Sequence, residues 1–150
     1  MSNGIVTSLH LHPAEAGEPL TEVDTIELVE AQGIRDNPRY FERDTKRQVS
    51  LIEREQLAEH ANALGQAPLP PGAARANVET GGVDLVALTG QQVRIGEAVL
   101  LFYEARTPCH RMEALAAGLR ERMENGRQGM LAQVVESGTI RVGDSIAPLP

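Results

Sequence analysis

The sequence predicts a mainly β fold with a few helices, closed into a barrel or stacked as a sandwich. Short segments that alternate apolar and polar residues recur along the chain, separated by glycine turns at Gly81-Gly82, Thr89-Gly90 and Ser137-Gly138, and that rhythm marks an all-β architecture. Only two stretches carry the apolar spacing of a helix. With 150 residues and 41% hydrophobic composition, the chain can bury a sizeable core within one domain spanning residues 1–150.

The elements follow in order. Ile5–Leu11 alternates loosely and reads as a first strand, and a Pro/Gly loop follows over Pro13–Pro19. Val23–Val29 alternates again, and the polar, turn-rich Gly33–Asp44 reads as a long loop. Gln48–Ile52 is read as the apolar entry to a helix, with Ser50 and Glu53 at capping-box spacing and Gly65 as its stop. Gln66–Gly72 holds three prolines and reads as a loop. Val78 then leads through the Gly81-Gly82 turn into Val83–Leu88. Gln92–Glu104, rich in β-branched and aromatic residues, is the best strand region, with Gly96 as a bulge or tight bend. Thr107-Pro108 has the form of a helix start, and Met112, Leu115, Ala116, Leu119 and Met123 share one face of a helix that Asn125-Gly126 ends. Met130–Val135 and Thr139–Ile146 read as a closing hairpin. Val93-Arg94-Ile95-Gly96-Glu97 is echoed by Ile140-Arg141-Val142-Gly143-Asp144, which suggests one strand-bend device used twice.

Composition excludes several function classes. A net charge of −7 gives no electrostatic footprint for duplex phosphates, and two Tyr, two Phe and no Trp supply no stacking platform for single strands, so nucleic acid is not an expected partner. The longest apolar run, Ala98–Tyr103, is too short to span a bilayer. Met1–His12 lacks the pattern of a secretory leader, so a cytoplasmic location is expected. A single cysteine excludes an internal disulfide and cysteine-rich zinc sites. Residues 1–44 carry a net −6 and residues 45–150 only −1, which makes the second part the better host for an anion. Thirteen of the fourteen bases are arginine, which suits bidentate recognition of phosphate or carboxylate but equally fits a GC-rich coding bias.

Cys109 is the most informative single residue. A helix opened by Thr107-Pro108 would place it in the first turn, where free amides, together with Arg106, His110 and Arg111, favour a thiolate. Such a thiolate could act as nucleophile, metal ligand or persulfide carrier; the alternative is a small buried hydrophobe. His10 and His12 lie two apart on a strand and are read as solvent-facing, and His60 as an exposed helical residue. Arg75 and Asn77 could face the same side and hold an anion, or be a solvated loop pair. Gly126-Arg127-Gln128-Gly129 could let backbone amides approach a phosphate, with a helix-end turn as the plainer reading.

In chain order these pieces resemble the MOSC domain, found at the C-terminus of molybdenum cofactor sulfurases and as small standalone proteins. The resemblance rests on Arg47-Gln48-Val49-Ser50-Leu51-Ile52, Arg75-Ala76-Asn77-Val78, Gly81-Gly82-Val83-Asp84-Leu85, Leu88-Thr89-Gly90 and Val93-Arg94-Ile95-Gly96-Glu97-Ala98. It continues through Pro108-Cys109, Gly126-Arg127-Gln128-Gly129 and Gly138-Thr139-Ile140-Arg141-Val142-Gly143-Asp144, and so covers roughly residues 45–146. It implies a MOSC-type β-barrel, with Cys109 as a persulfide carrier or molybdenum ligand. It also implies that Arg75, Asn77, Arg111 and Arg127 hold a molybdenum-pterin cofactor, and it brings an association with pyridoxal phosphate proteins. A sulfur donor or an electron-donor protein is the implied partner. In the amidoxime-reducing relatives the cysteine opens a Cys-x-Arg-Cys motif; here Cys109-His110-Arg111-Met112 keeps the arginine and ends on Met112. A molybdenum-dependent reductase of N-hydroxylated compounds and a non-catalytic binding module are the alternatives the resemblance leaves open. Gly33-Ile34-Arg35-Asp36-Asn37 departs from the family's Gly-Asp-Arg-His-like segment. The second, N-terminal barrel of the amidoxime-reducing relatives is not matched, so a complete molybdenum pocket is not expected.

Overall fold

The structure, a computed structural model, describes residues 4–150; the part of the leader reading that rests on residues 1–3 lies outside them. The described elements run β1 (Gly4–Leu11), β2 (Thr21–Val23), β3 (Thr25–Val29), β4 (Gly33–Ile34), β5 (Val49–Glu53), α1 (Arg54–Ala63), β6 (Val78–Gly81), β7 (Gln92–Ile95), β8 (Ala98–Ala105), α2 (His110–Leu115), α3 (Leu119–Arg122), β9 (Met130–Glu136), β10 (Gly138–Arg141) and β11 (Ser145–Pro148). A single 3-10 turn, Val86–Leu88, sits before β7.

Among the described residues, seven strands close a mixed barrel in the order β11-β7-β8-β9-β5-β6-β1, and β1 returns to β11 through Gly4 opposite Ile146. The β5–β6 pair is parallel and its neighbours are antiparallel. Parallel neighbours need a crossover, and α1 with the proline loop supplies it. A second sheet, β10-β3-β4, contributes Ile26, Leu28, Ile34 and Ile140 to the barrel core. A smaller apolar cluster of Ile52, Leu57, Ala74, Ala76, Met112, Leu119 and Met123 lies between the barrel wall and the helices.

Four local expectations change. Val49–Glu53 is a strand, buried along its whole length, and the helix begins only at Arg54. Leu51 faces the barrel core and Ile52 the cluster under the helices, and a strand covered on both faces has a continuous apolar sequence that resembles a helix segment. The capping box is not formed: Glu53 is the N-cap residue of α1 without a side-chain cap bond, and Ser50 bonds to Asn77 instead. The Met112–Met123 helix is two short ones, because Ala116 is extended and Gly118 adopts a φ of +89° between them. Cys109 is therefore the N-cap residue of α2 rather than a first-turn residue. The closing hairpin does not form either. β9 pairs with β8 and β5, while β10 crosses to β3 with Ile140 opposite Ile26; burying Ile140 in the core sends this strand away from β9.

The bend at Gly96 turns β7 back into β8. Its φ is +56° and a Cβ there would lie 3.0 Å from the Thr139 carbonyl oxygen, so only glycine fits this turn. The echoed sequence at Gly143 also turns one strand, β10, into the next, β11, with a φ of +94°.

Candidate functional site

One end of the barrel gathers a polar pocket of about 190 Å³. Six stretches of the chain build it, and their placement begins with hydrogen bonds rather than with apolar packing. Asn77, on the approach to β6, is buried at 1% exposure. Its Oδ1 accepts from the Ser50 amide (3.1 Å) and hydroxyl (3.2 Å), and its Nδ2 donates to the His10 carbonyl oxygen (2.9 Å) and to Asn37 Oδ1 (3.3 Å). Asn37 Oδ1 also accepts from the amide of His12. This one amide side chain thus ties β1, β5, β6 and the loop after β4 together.

That fixed loop delivers Arg39 and Tyr40 to the pocket, and the chain before β5 delivers Arg47. Gln48 locks the second position: its Nε2 donates to the Ala31 and Thr45 carbonyl oxygens and its Oε1 accepts from the Val134 amide. The two guanidiniums stand over the Tyr40 ring, Arg47 at 4.7 Å and Arg39 at 5.7 Å from its centroid, an arrangement the negative face of the ring favours. Tyr40 also meets the His12 ring edge-on at 5.0 Å.

Arg75 enters from the other side with a φ of +62°, and its Nη1 donates to the Glu18 carbonyl oxygen. A left-handed conformation at a non-glycine residue is held only where the surroundings over-determine it. Arg106, immediately after β8, is buried, and it donates to the carbonyl oxygens of Gln128 (3.4 Å), Ala74 (3.2 Å) and Arg75 (3.5 Å). Burial, with Arg47 and Arg75 nearby, lowers its guanidinium to about 10, so it stays charged at neutral pH. Arg111 and Cys109 complete the wall from α2 and its N-cap. The thiol is partly exposed and free.

Five guanidiniums thus share a pocket whose lining holds no carboxylate among the described residues. Within those residues, none of the five makes an ion pair with an acid; the pairs present involve Arg35, Arg54, Arg94, Arg141 and His10. Three buried polar atoms in the lining have no partner among the described residues either: Nε2 of His12, which is 3% exposed, Nε of Arg47, and Oε1 of Gln128, which is 2% exposed. Buried polar groups are ordinarily satisfied, so these three positions leave two donors and one acceptor free at the pocket wall when His12 carries its proton on Nε2. Burial, then the charges of Arg75, Arg106, Arg47 and Arg39, pushes the His12 imidazole down to about 3, and the ring is neutral at physiological pH.

Of the residues singled out in the sequence, Cys109, Arg75 and Arg111 come together in this pocket, and Asn77 supports it from outside the lining. Arg127 does not reach it: its side chain is exposed and its Nε donates to the Glu124 carbonyl oxygen. The Gly126–Gly129 loop presents carbonyls, not amides, to α1. The Gln56 amide reaches the Gly126 oxygen, and His60 Nε2 lies 2.8 Å from the Arg127 oxygen while its Nδ1 accepts from Arg122. Gly129, with a φ of +89°, passes so close to β5 that a Cβ would lie 1.9 Å from the Leu51 oxygen. The loop's contribution is to seat Gln128. His10, His12 and His60 are buried, at 1%, 3% and 2% exposure, against the expectation of solvent-facing rings: His10 lies against Gly72 and Glu79, His12 against Tyr40, and His60 against Arg122 and the Arg127 oxygen. His110 is exposed and outside the lining, so it makes no Cys–His pair there. His12, Arg39, Tyr40, Arg47 and Gln128 were not legible as site residues. The one available signal was the crowding of arginines around Tyr40, but their convergence with Cys109 spans the whole chain.

The MOSC domain family model matches residues 10–147. The chain belongs to the MOSC domain family. Solved structures agree on the fold of this MOSC chain. YuaD from Bacillus subtilis is 20% identical with a TM-score of 0.78, and the match covers 97% of each chain. YiiM from Geobacillus stearothermophilus is 18% identical with a TM-score of 0.76, over 98% of this chain and 75% of that one. YiiM from Escherichia coli is 19% identical with a TM-score of 0.71, over 97% and 70% respectively. No curated protein is similar enough in sequence to match.

The residues of the pocket fit part of the cofactor associated with this family. Five guanidiniums suit a phosphate group, and the Cys109 sulfur is a soft donor of the kind molybdenum accepts. A volume of 190 Å³ lies below the roughly 300–1,000 Å³ of typical small-molecule sites, so a pterin ring would extend beyond it. No group of three or more His, Cys, Asp or Glu side chains is placed to hold a metal ion among the described residues. Pyridoxal phosphate fits poorly: the one lysine of the chain, Lys46, is exposed and outside the lining. No described helix is long and apolar enough to cross a membrane.

Proposed function

We propose that this MOSC protein carries sulfur as a persulfide on Cys109. The observation that carries the reading is the position of the thiol in the wall of a pocket with five guanidiniums and no carboxylate. A thiolate attacks the outer sulfur of a donor persulfide; the donor's S–S bond breaks, its thiolate leaves with the electron pair, and the outer sulfur remains on Cys109. The product is an anion, and Arg75 and Arg111 stand where they can stabilise it by charge-assisted hydrogen bonds. Arg106 and Arg47 add positive potential from positions fixed by the fold, without reorganisation at the moment of transfer. A cytoplasmic setting, where a lone thiol stays reduced, suits this chemistry.

The same pocket would hold a molybdenum-pterin cofactor by its phosphate through Arg75 and Arg111, with Cys109 as the metal's thiolate ligand. Bound there, molybdenum would supply two-electron redox chemistry, with electrons from a partner protein. The small volume of the pocket favours the carrier reading over this one.

The test is the intact mass of protein purified without reductant. We expect an added mass of one sulfur atom that dithiothreitol removes and that Cys109→Ser abolishes. A single unmodified species, with no uptake of sulfur from a supplied alkyl persulfide, would refute the reading. Elemental analysis of the same sample separates carrier from molybdenum protein.

A further inference from the structure

We propose that the sulfur donor is a small sulfane-sulfur oxyanion of the thiosulfate class; the inference rests on Cys109 being a sulfur acceptor, as proposed above. Three observations converge on this class. The pocket's 190 Å³ equals the share of about six water molecules at ~30 Å³ each. It therefore has room for a small oxyanion, whereas the organic body of a larger donor would extend beyond it. The five guanidiniums carry no carboxylate counter-charge from the protein among the described residues, which suits a dianion better than a singly charged or neutral donor. The Nε2 atom of His12 and the Nε atom of Arg47 are buried, unpartnered and part of the lining. A sulfonate end, with three acceptor oxygens, offers partners for these two groups as well as for arginine forks.

The chemistry closes without an added reagent. With the sulfonate held by Arg75, Arg111, the Arg47 Nε and the His12 Nε2 as donors, the outer sulfur of the anion is turned towards Cys109. The Cys109 thiolate attacks that sulfur, and a new S–S bond forms. The old S–S bond breaks, and sulfite departs as a dianion with the bonding electron pair. Cys109 is left as a persulfide anion, total charge is conserved, and no external oxidant or reductant enters. Arg47 and Arg39, spaced by Tyr40, hold positive potential over the departing sulfite. Met112 gives the pocket an apolar patch suited to the soft outer sulfur.

The experiment uses reduced, desalted full-length protein in a single turnover with sodium thiosulfate, reading sulfite release and intact mass together. We expect one sulfite per Cys109 persulfide formed, a rate that saturates with thiosulfate, competition by sulfate, and nothing from Cys109→Ser. Arg75→Gln and Arg111→Gln should each lower the rate by about tenfold or more, the size of a lost hydrogen bond between charged groups. A donor without a sulfonate group, the persulfide of 2-mercaptoethanol, is run in parallel, and sulfate should slow it far less than it slows thiosulfate. Loading from that persulfide but not from thiosulfate overturns this inference and leaves the carrier reading standing. Loading from neither overturns both. Loading from thiosulfate that neither sulfate nor the arginine variants slow refutes the anion pocket as its cause; sulfate competition on the wild type decides this even where a variant fails to fold.

Discussion

Glu53, 9% exposed, closes β5 with one buried carboxyl oxygen, Oε2, without a hydrogen-bond partner. Burial, and then the negative charge of Asp84, raises its pKa from 4.5 to about 7, against the opposing amide of Leu85. In the unfolded chain this group loses its proton near pH 4.5, and in the fold near pH 7. Between those values the folded protein binds a proton the unfolded chain has released, so stability falls as pH rises through this window and the loss is complete above it. At about 1.4 kcal/mol per pKa unit, the full loss is about 3 kcal/mol. Glu53→Gln keeps the shape and removes the charge. In urea unfolding the Gln variant should be within about 1 kcal/mol of wild type at pH 5 and about 2–3 kcal/mol more stable at pH 8. With a slope near 2 kcal/mol per molar urea, the midpoint difference grows by about 1 M. The buried His10, His12 and His60 are shifted down from 6.5 by burial first; they contribute stability present above pH 6.5 and lost as pH falls below it. That opposite slope is common to both proteins and cancels in the difference. A variant-minus-wild-type difference that does not grow between pH 5 and pH 8 would show that Glu53 ionises in the fold as it does in water.

Two further perturbations test the framework of the pocket. Asn77→Ala leaves the buried Ser50 amide and His10 carbonyl without the side chain that serves them, at about 1–3 kcal/mol for each orphaned group; thermal unfolding should show a loss of about 3–5 kcal/mol, and a loss under 1 kcal/mol would mean water replaces the amide. Gly129→Ala places a Cβ against the Leu51 oxygen at a φ of +89°, and strain plus overpacking should remove about 3 kcal/mol or more; a soluble variant with wild-type denaturation would show that the loop can move away from β5.

Much of the fold is legible in local sequence because its signals are local. The alternation of Ile5–Leu11, the β-branched run around Gly96 and the glycine turns each follow from period and backbone freedom at a few neighbouring residues. Val49–Glu53 shows where that ends. Its apolar run is compatible with helix or strand, and the coverage of both its faces is decided by the barrel and by α1. The Met130–Ile146 pairing fails for a related reason: a turn between two strands does not say whether they pair with each other, and β10 finds its partner in β3, more than a hundred residues earlier.

The sequence by itself determined a β-rich MOSC chain with one thiol and an excess of arginine over lysine. Only the tertiary structure decided which arginines matter. Arg39, Arg47, Arg75, Arg106 and Arg111 share the pocket with Cys109, while Arg127, three residues before the barrel strand β9, turns away to Glu124. The physical reason is that a charge cluster without counter-ions has no local signature: each guanidinium is an ordinary polar residue in its own segment. The hydrogen bonds of Asn77 and Gln48 and the close passage of Gly129 hold those segments together against their mutual repulsion.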